Sequence, residues 1–201
     1  LTTSRSLVLG FHGCDLSTAI KVVNKDDDLK PSSNKWDWLG NGLYFWEDSY
    51  SRALAWSQET AKDPNGKIKK PAVLGAVIDL GNCLNLIDAE HLERVKNAYR
   101  GYMISCDMSG LTPAQNKGVN LRARYLDCAV IETLHTLRLE QGKPSFDSVR
   151  AFFVEGEPLY ETSGLRALDH IQICVRNPRN ILGYFLPRET GLSKSRKVFA
   201  N

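Results

Sequence analysis

The sequence predicts one α+β domain spanning residues 1–201, and three observations carry that expectation. Strand-like runs stand at both ends of the chain with helix-like runs between them, unlike the regular alternation that builds a parallel sheet. A chain of 201 residues suits one core of ordinary size. Hydrophobic residues at 42% and charged residues at 24% match an average soluble globular composition, which argues against disorder. No internal repeat or second domain is evident.

Taken in order, Ser6 to Phe11 is short, apolar and rich in strand formers, and it predicts a strand ending at His12-Gly13. Leu16 to Val23 has helical spacing, with Asp15 or Ser17 as its cap, because a side-chain oxygen there accepts from a first-turn N–H. Lys25 to Gly42 holds Pro31, two serines, Asn34 and glycines, and predicts an irregular loop. It also carries Trp36 and Trp38, and loops with large aromatics tend to fold over something. Leu43 to Trp46 predicts a short strand and Ser49 to Ala61 a helix. A turn at Asp63 to Lys67 precedes Pro71 to Leu80, which is apolar enough to be a central strand.

Leu84 to Ile87 continues the sheet, and Asp88 caps a helix from Ala89 to about Tyr102. Tyr102 to Asn120, with Gly110, Pro113 and Gly118, reads as an irregular insertion. Leu121 to Gln141 is a helix because Leu126, Val130, Leu134 and Leu137 recur at helical spacing and Gly142 ends it. Three strands follow, Ser148 to Val154, Asp169 to Arg176 and Ile181 to Leu186. In the second, Ile171, Ile173 and Val175 alternate with Gln172, Cys174 and Arg176, which predicts one buried and one more polar face. The basic, polar tail from Glu189 to Asn201 is expected to fray.

A formal charge of +3 and a pI near 8.6 are too mildly basic to identify a nucleic-acid binder, yet they are compatible with an anionic ligand such as a dinucleotide pyrophosphate. The five cysteines are odd in number and widely spaced, which points to a reducing, cytoplasmic setting rather than a disulfide framework or a zinc site. No run approaches the roughly 18 apolar residues of a membrane span. The signal-peptide pattern is absent too, although a chain starting at Leu1 makes that weak testimony.

GxGxxG after a strand, GxxxxGK[ST], GxSxG and HExxH are all missing. What remains is His12-Gly13, the stretch Gly40 to Trp56 with Tyr44, Phe45, Trp46 and Trp56, and the acidic loop Glu155 to Gly164. Taken singly, each has a structural explanation: the aromatics are core, a histidine at a strand end is a hydrogen-bonding residue, and a Glu-Gly-Glu loop is solvated. Their order is more specific. A strand reaching FHG, then GNGLYF leading into a helix, then EGEPLY before HIQICV resembles the His-Tyr-Glu class of ADP-ribosyltransferases, which includes diphtheria toxin and the poly(ADP-ribose) polymerases. The resemblance covers Leu7 to Phe185. The chain also looks like an ADP-ribosyltransferase-like group of bacterial proteins found in toxin and phage-defence contexts.

The resemblance implies two small packed sheets around an NAD cleft with flanking helices, with NAD as co-substrate and no metal. It implies that His12 bonds a ribose hydroxyl, that the Gly13 backbone pairs with the nicotinamide carboxamide, and that Tyr44 packs near the nicotinamide in the GNGLYF motif of Gly42. Asn34 to Leu39, with Asn34, Trp36 and Trp38, corresponds to the loop that closes over the donor. The chain departs from the family pattern at Cys14, where Ser or Thr is common, and at Ala55, where the second tyrosine falls. Trp56 takes that stacking place with a small shift of the helix, ahead of Tyr50. For the key carboxylate the choice lies between Glu155 and Glu157. Glu157 is preferred by its distance to the following strand, Glu155 then orients the acceptor or helps activate it, and Glu161 ranks third.

The implied activity is transfer of ADP-ribose from NAD to a macromolecule, protein or nucleic acid, with release of nicotinamide. An NAD glycohydrolase and a catalytically silent NAD or ADP-ribose-binding module are the alternatives, and a tRNA 2′-phosphotransferase ranks below both. A toxin would have an antitoxin or immunity partner; no membrane association is implied. Lys117, Arg122, Arg124 and Arg150 form either a nucleic-acid surface or ordinary solvated positions.

Overall fold

In the computed structural model, which describes residues 6–188, β1 (Leu7–Asp15) runs straight through His12 and Gly13 instead of stopping there. The reason is its partner: β3 (Pro71–Asp79) stays in antiparallel register from Leu7↔Asp79 to Asp15↔Pro71. Pro71 lacks an N–H but loses nothing. The neighbouring bond from the Leu16 N–H to the Lys70 carbonyl (2.8 Å) shows that the Asp15↔Pro71 pair is not hydrogen-bonded. Asp15 then caps α1 (Leu16–Asn24) as the sequence predicts. Its Oδ1 accepts from the Ser17 N–H at 2.9 Å, and its Oδ2 accepts from the Lys69 and Lys70 N–H groups at 2.8 Å each. These bonds, led by one from the Ser17 side chain, hold the carboxyl well below its usual range.

The remaining elements are β2 (Leu43–Glu47), α2 (Tyr50–Thr60), β4 (Cys83–Asn85), α3 (Ala89–Met108), α4 (Tyr125–Glu140), β5 (Ser148–Phe153), β6 (His170–Val175) and β7 (Ile181–Phe185). The fold is α+β. It contains one mixed seven-stranded sheet, in the order β4-β5-β6-β2-β1-β3-β7, instead of two separate packed sheets. Neighbours are antiparallel except β4 and β5. The sheet is nonetheless nearly divided, because β1 and β2 share two residue pairs alone, Gly10↔Glu47 and Phe11↔Trp46.

β2 lies at the middle and is covered on both faces. Leu43 and Phe45 join the core beneath α1 with Leu74, Ile78 and Ile173, while Tyr44 packs against the cluster of α3, α4 and β5, and Trp46 joins Ala53 and Val73 under α2. The more polar face expected of β6 survives at its cleft end, His170 and Gln172, and is lost at Cys174 for the same reason. Cys174 is fully buried, since β6 pairs with β2 and β5 and is covered by the α4 cluster. Gly10 is the residue that lets this layer close: a Cβ there would stand 2.5 Å from Ile78 Cδ1 and 2.8 Å from Phe45 Cβ.

α3 also outlasts its expected end at Tyr102. Residues 102–108 contain no Gly or Pro, and Cys106 is buried, so the first effective stop is Gly110. Tyr102 Oη accepts from the Ala114 N–H at 2.9 Å and so fastens the returning chain. Part of the expected insertion is thus helix, and the rest, from Leu111, is irregular apart from a short turn at Val119–Leu121. No described helix is long and apolar enough to cross a membrane. The tail from Glu189 to Asn201 lies outside the described residues.

On α4, His135 is buried beside Phe146, and neither ring nitrogen has a protein hydrogen-bond partner. Burial, with Arg176 adding to it, lowers its pKa to about 4. The ring is therefore neutral in the fold, whereas the unfolded chain binds a proton below its ordinary value of about 6.5. The stability it contributes is complete above that value and is lost as pH falls toward 4, a difference of about 3 kcal/mol. His135→Leu should remove most of this component. Denaturant titrations at pH 7 and pH 4.5 test it, and parallel losses in the two proteins would refute the assignment.

Candidate functional site

Beyond Phe11 and Trp46 the two central strands separate, and a cleft of about 460 Å³ lies at the gap. The sheet contributes His12, Tyr44, Trp46, His170 and Gln172. α2 contributes Arg52 and Trp56, the loop before β2 contributes Ser32, Asn34, Trp36, Asp37 and Trp38, and the segment after β5 contributes Glu155.

His12 fills the gap itself. Its Nδ1 lies 2.8 Å from the Tyr44 carbonyl, an oxygen that can only accept, so Nδ1 carries the proton and the neutral ring presents Nε2 as an acceptor. Burial lowers its pKa and favours that neutral form, against the opposing effect of the same backbone bond. The ladder also orients Gly13. Since the Leu16 N–H reaches the Lys70 carbonyl and the Leu80 N–H reaches the Ser6 carbonyl, even-numbered residues of β1 bond to β3. The N–H and C=O of Gly13 therefore point to the side from which β2 has departed. The missing side chain has a second use, because a Cβ would meet the Ala53 carbonyl at 2.4 Å and Trp56 Cε3 at 3.0 Å. Gly13 thus lets α2 lie against β1 and brings Trp56 to the cleft.

Tyr44 is a strut as well as a wall. Its hydroxyl accepts from the Leu39 N–H at 2.9 Å and donates to the Gly40 carbonyl at 2.6 Å, and burial raises its pKa strongly. The ring face borders the cleft, but the hydroxyl is committed to the loop. Gly40, at φ +78°, faces Glu132, whose Oε1 accepts from the Asn41 N–H at 2.8 Å and forms an ion pair with Arg176. Trp38 donates from Nε1 to the Arg122 carbonyl at 2.8 Å and lies 4.6 Å from the Phe153 ring. Asn34 is turned back on its own loop, with Nδ2 at 2.9 Å from Ser32 Oγ.

Trp56 lines the cleft from α2. Its ring centroid is 5.8 Å from that of Trp46 at a tilt of 47°. Ala55 is exposed outside the lining, and Tyr50 packs edge-on against Phe11 at 6.1 Å. Two other expected contacts lie elsewhere. Cys14 is buried in the core under α1, where burial raises its thiol pKa to about 11. Gly42 sits against β6, where a Cβ would meet Cys174 Sγ and the Val175 carbonyl at 2.6 Å each. Alternation along β1 and close packing along β6 explain both placements.

Of the three glutamates weighed, Glu155 enters the cleft, while Glu157 and Glu161 are exposed and outside its lining. Glu155 Oε2 is 2.7 Å from Arg52 Nη2, and its Oε1 is 3.2 Å from Arg122 Nη2. His170 Nδ1 lies 3.9 Å from Oε2 and 2.7 Å from the Leu168 carbonyl, and burial lowers the pKa of this histidine too. Among the buried donors bordering the cleft, Trp46 Nε1 and Arg52 Nε have no protein hydrogen-bond partner. Among the described residues no group of three or more His, Cys, Asp or Glu is arranged to hold a metal.

Trp46 belongs to the aromatic stretch already singled out in the sequence; Arg52, His170 and Gln172 are absent from the sequence expectation, yet two periodicities carried their signal. Arg52 stands four residues before Trp56 on one helical face, and His170 and Gln172 are two apart on one strand face.

No family model matches the chain, and no solved structure matches it. An uncharacterized protein of Methanocaldococcus jannaschii is 26% identical over 185 residues, covering 84% of this chain and 81% of that protein.

The two bonds of the Tyr44 hydroxyl predict a structural cost for its removal. Tyr44→Phe strands the Leu39 N–H and the Gly40 carbonyl and should lower unfolding stability by about 1–3 kcal/mol. Glu157→Gln, on an exposed position, should stay within about 0.5 kcal/mol of the parent. Urea midpoints measure both, and an unchanged Tyr44→Phe midpoint would remove the strut role.

Proposed function

We propose that the chain is an NAD-dependent ADP-ribosyltransferase that releases nicotinamide and transfers ADP-ribose to a macromolecular acceptor. The observation that carries this reading is the convergence of His12, Tyr44, Trp56 and Glu155, from three strand regions and a helix, on one cleft at the parting of the sheet. Supporting it are the acceptor Nε2 of His12, suited to a ribose hydroxyl, and the Gly13 amide edge facing the gap. The unpartnered Trp46 and Arg52 donors suit an acceptor-rich, anionic ligand.

In this reading NAD is a co-substrate. Its nicotinamide lies against the Tyr44 face and the Trp46 and Trp56 pair. The bond from C1′ of the ribose to the nicotinamide nitrogen breaks, the nitrogen keeps the electron pair, and neutral nicotinamide leaves. The acceptor's oxygen or nitrogen attacks C1′ and gives up its proton to a carboxylate or to water. Glu155 is the group placed to hold a ribose hydroxyl and to stabilise the oxocarbenium-like charge. This moves the key role from Glu157, favoured by spacing, to Glu155. Arg52 orients that carboxylate from α2. Arg122, exposed and reaching over from the loop before α4, bonds the other oxygen and must yield it when the donor enters.

The test uses NAD labelled in its adenylate portion, incubated with the protein in a cell lysate. Label on a macromolecule with equimolar free nicotinamide is expected. Glu155→Gln should lose about 10²–10³-fold in rate, the size of a removed charge-stabilising group, with Glu157→Gln near the parent. Free ADP-ribose with no labelled macromolecule would make the chain a glycohydrolase, and tight NAD binding without nicotinamide release a silent binding module. Loss confined to Glu157→Gln would reverse the assignment.

A further inference from the structure

A surface continues outward from the cleft at its Trp36 rim. Trp36 is 47% exposed and meets Tyr125 edge-on, with ring centroids 6.0 Å apart. Lys117 Nζ lies 6.0 Å from the centroid of the same Tyr125 ring. Lys117 and Ala123 exchange backbone bonds of 2.9 and 3.0 Å, which sets Lys117 beside the strand-like turn carrying Arg122, and Trp38 Nε1 holds the Arg122 carbonyl. Lys35, exposed, adjoins Trp36. A pair of aromatic rings, Trp36 and Tyr125, is thus flanked by Lys35 and Lys117, beside the turn from which Arg122 reaches Glu155.

The charges on this surface are uneven in a useful way. Asp127 is engaged by Arg124 at 3.0 Å and by Asn116 at 2.8 Å, and Asp37 accepts from Asn34 at 3.0 Å. Lys35 and Lys117 form no salt bridge among the described residues. Two other basic residues weighed for such a surface are structural: Arg150 is held by Glu47, and Arg124 is stacked on Trp38 and paired with Asp127. A ligand that offers a flat face with negative charge on either side of it matches an exposed tryptophan flanked by lysines without a salt bridge. Unstacked bases on a phosphate backbone have that form, whereas a duplex hides its base faces.

We propose that this surface binds a single-stranded nucleic acid, stacking a base on Trp36 and contacting phosphates through Lys35 and Lys117, and that this strand is the acceptor presented to the cleft. The acceptor role rests on the transferase reading; the binding does not. In the transfer step a base nitrogen or a strand hydroxyl is the nucleophile at C1′, nicotinamide departs, and the nucleophile's proton is released as described above.

Fluorescence anisotropy of the intact chain with labelled oligothymidylate, oligouridylate and a duplex of equal length, over a salt series, tests the proposal. One or both single strands should bind more tightly than the duplex, and the preferred one identifies DNA or RNA. Trp36→Ala should weaken binding about tenfold, with Trp36→Phe recovering most of it. Lys117→Ala should reduce the slope of log affinity against log salt by about 0.7, one phosphate contact on a single strand. Equal or better duplex binding, no binding at low salt, or an unaffected Trp36→Ala would overturn the proposal. Label from NAD confined to protein in nuclease- and protease-treated lysate would overturn the acceptor role. Strand binding without any nicotinamide release would leave the surface standing and remove the transferase reading alone.

Discussion

Two residue pairs, Gly10↔Glu47 and Phe11↔Trp46, hold the seven-stranded sheet together at its middle. Everything that makes a site follows from their being so few. A fully paired β1 and β2 would close the gap, bury the Gly13 amide in a ladder and leave no place for the His12 ring. Instead the ring takes the Tyr44 carbonyl that a further ladder bond would have used, satisfying a buried acceptor while keeping the strands apart. The same bond sets the histidine's tautomer, so the fold and the chemical character of the residue have one cause.

Around that gap, packing and charge divide the work. Gly13 brings α2 against β1, and Trp46 and Trp56 then meet across the helix-sheet boundary. The loop before β2 is held from inside by the Tyr44 hydroxyl and from beneath by Glu132 and Arg176, whose ion pair also bonds both backbone groups of Asn41. An aromatic loop anchored at these points can border a ligand without collapsing into it. Arg52 and Arg122 do for Glu155 what those pairs do for the loop. A carboxylate largely withdrawn from water is tolerable beside two guanidinium groups, and the cost of its burial is offset by their bonds.

Much of the element order is legible in the residues because it rests on local chemistry. Asp15 and Asp88 cap the helices they precede, Gly142 stands just past the end of α4, and the apolar runs of β2, β3, β5 and β6 lie where strand formers cluster. The errors are tertiary. β1 continues past His12 because β3 stays in register with it, and the more polar face of β6 stops short at Cys174 because helices and neighbouring strands cover it. α3 continues past Tyr102 because nothing in the next residues stops a helix whose Cys106 finds a buried place.

The site divides along the same line. By itself the sequence marked the positions that reach the cleft, His12, Tyr44, Trp38, Asn34 and Trp56, through the resemblance carried by the order of FHG, GNGLYF and the loop between them. Tertiary structure alone decided that Cys14 and Gly42 serve the core, that Glu155 and not Glu157 enters the cleft, and that Arg52, Arg122 and His170 surround it. The physical reason is range. A cap or an alternation is a relation between residues a few positions apart, whereas an ion pair between Arg52 and Glu155 exists only after the sheet has brought α2 beside the end of β5.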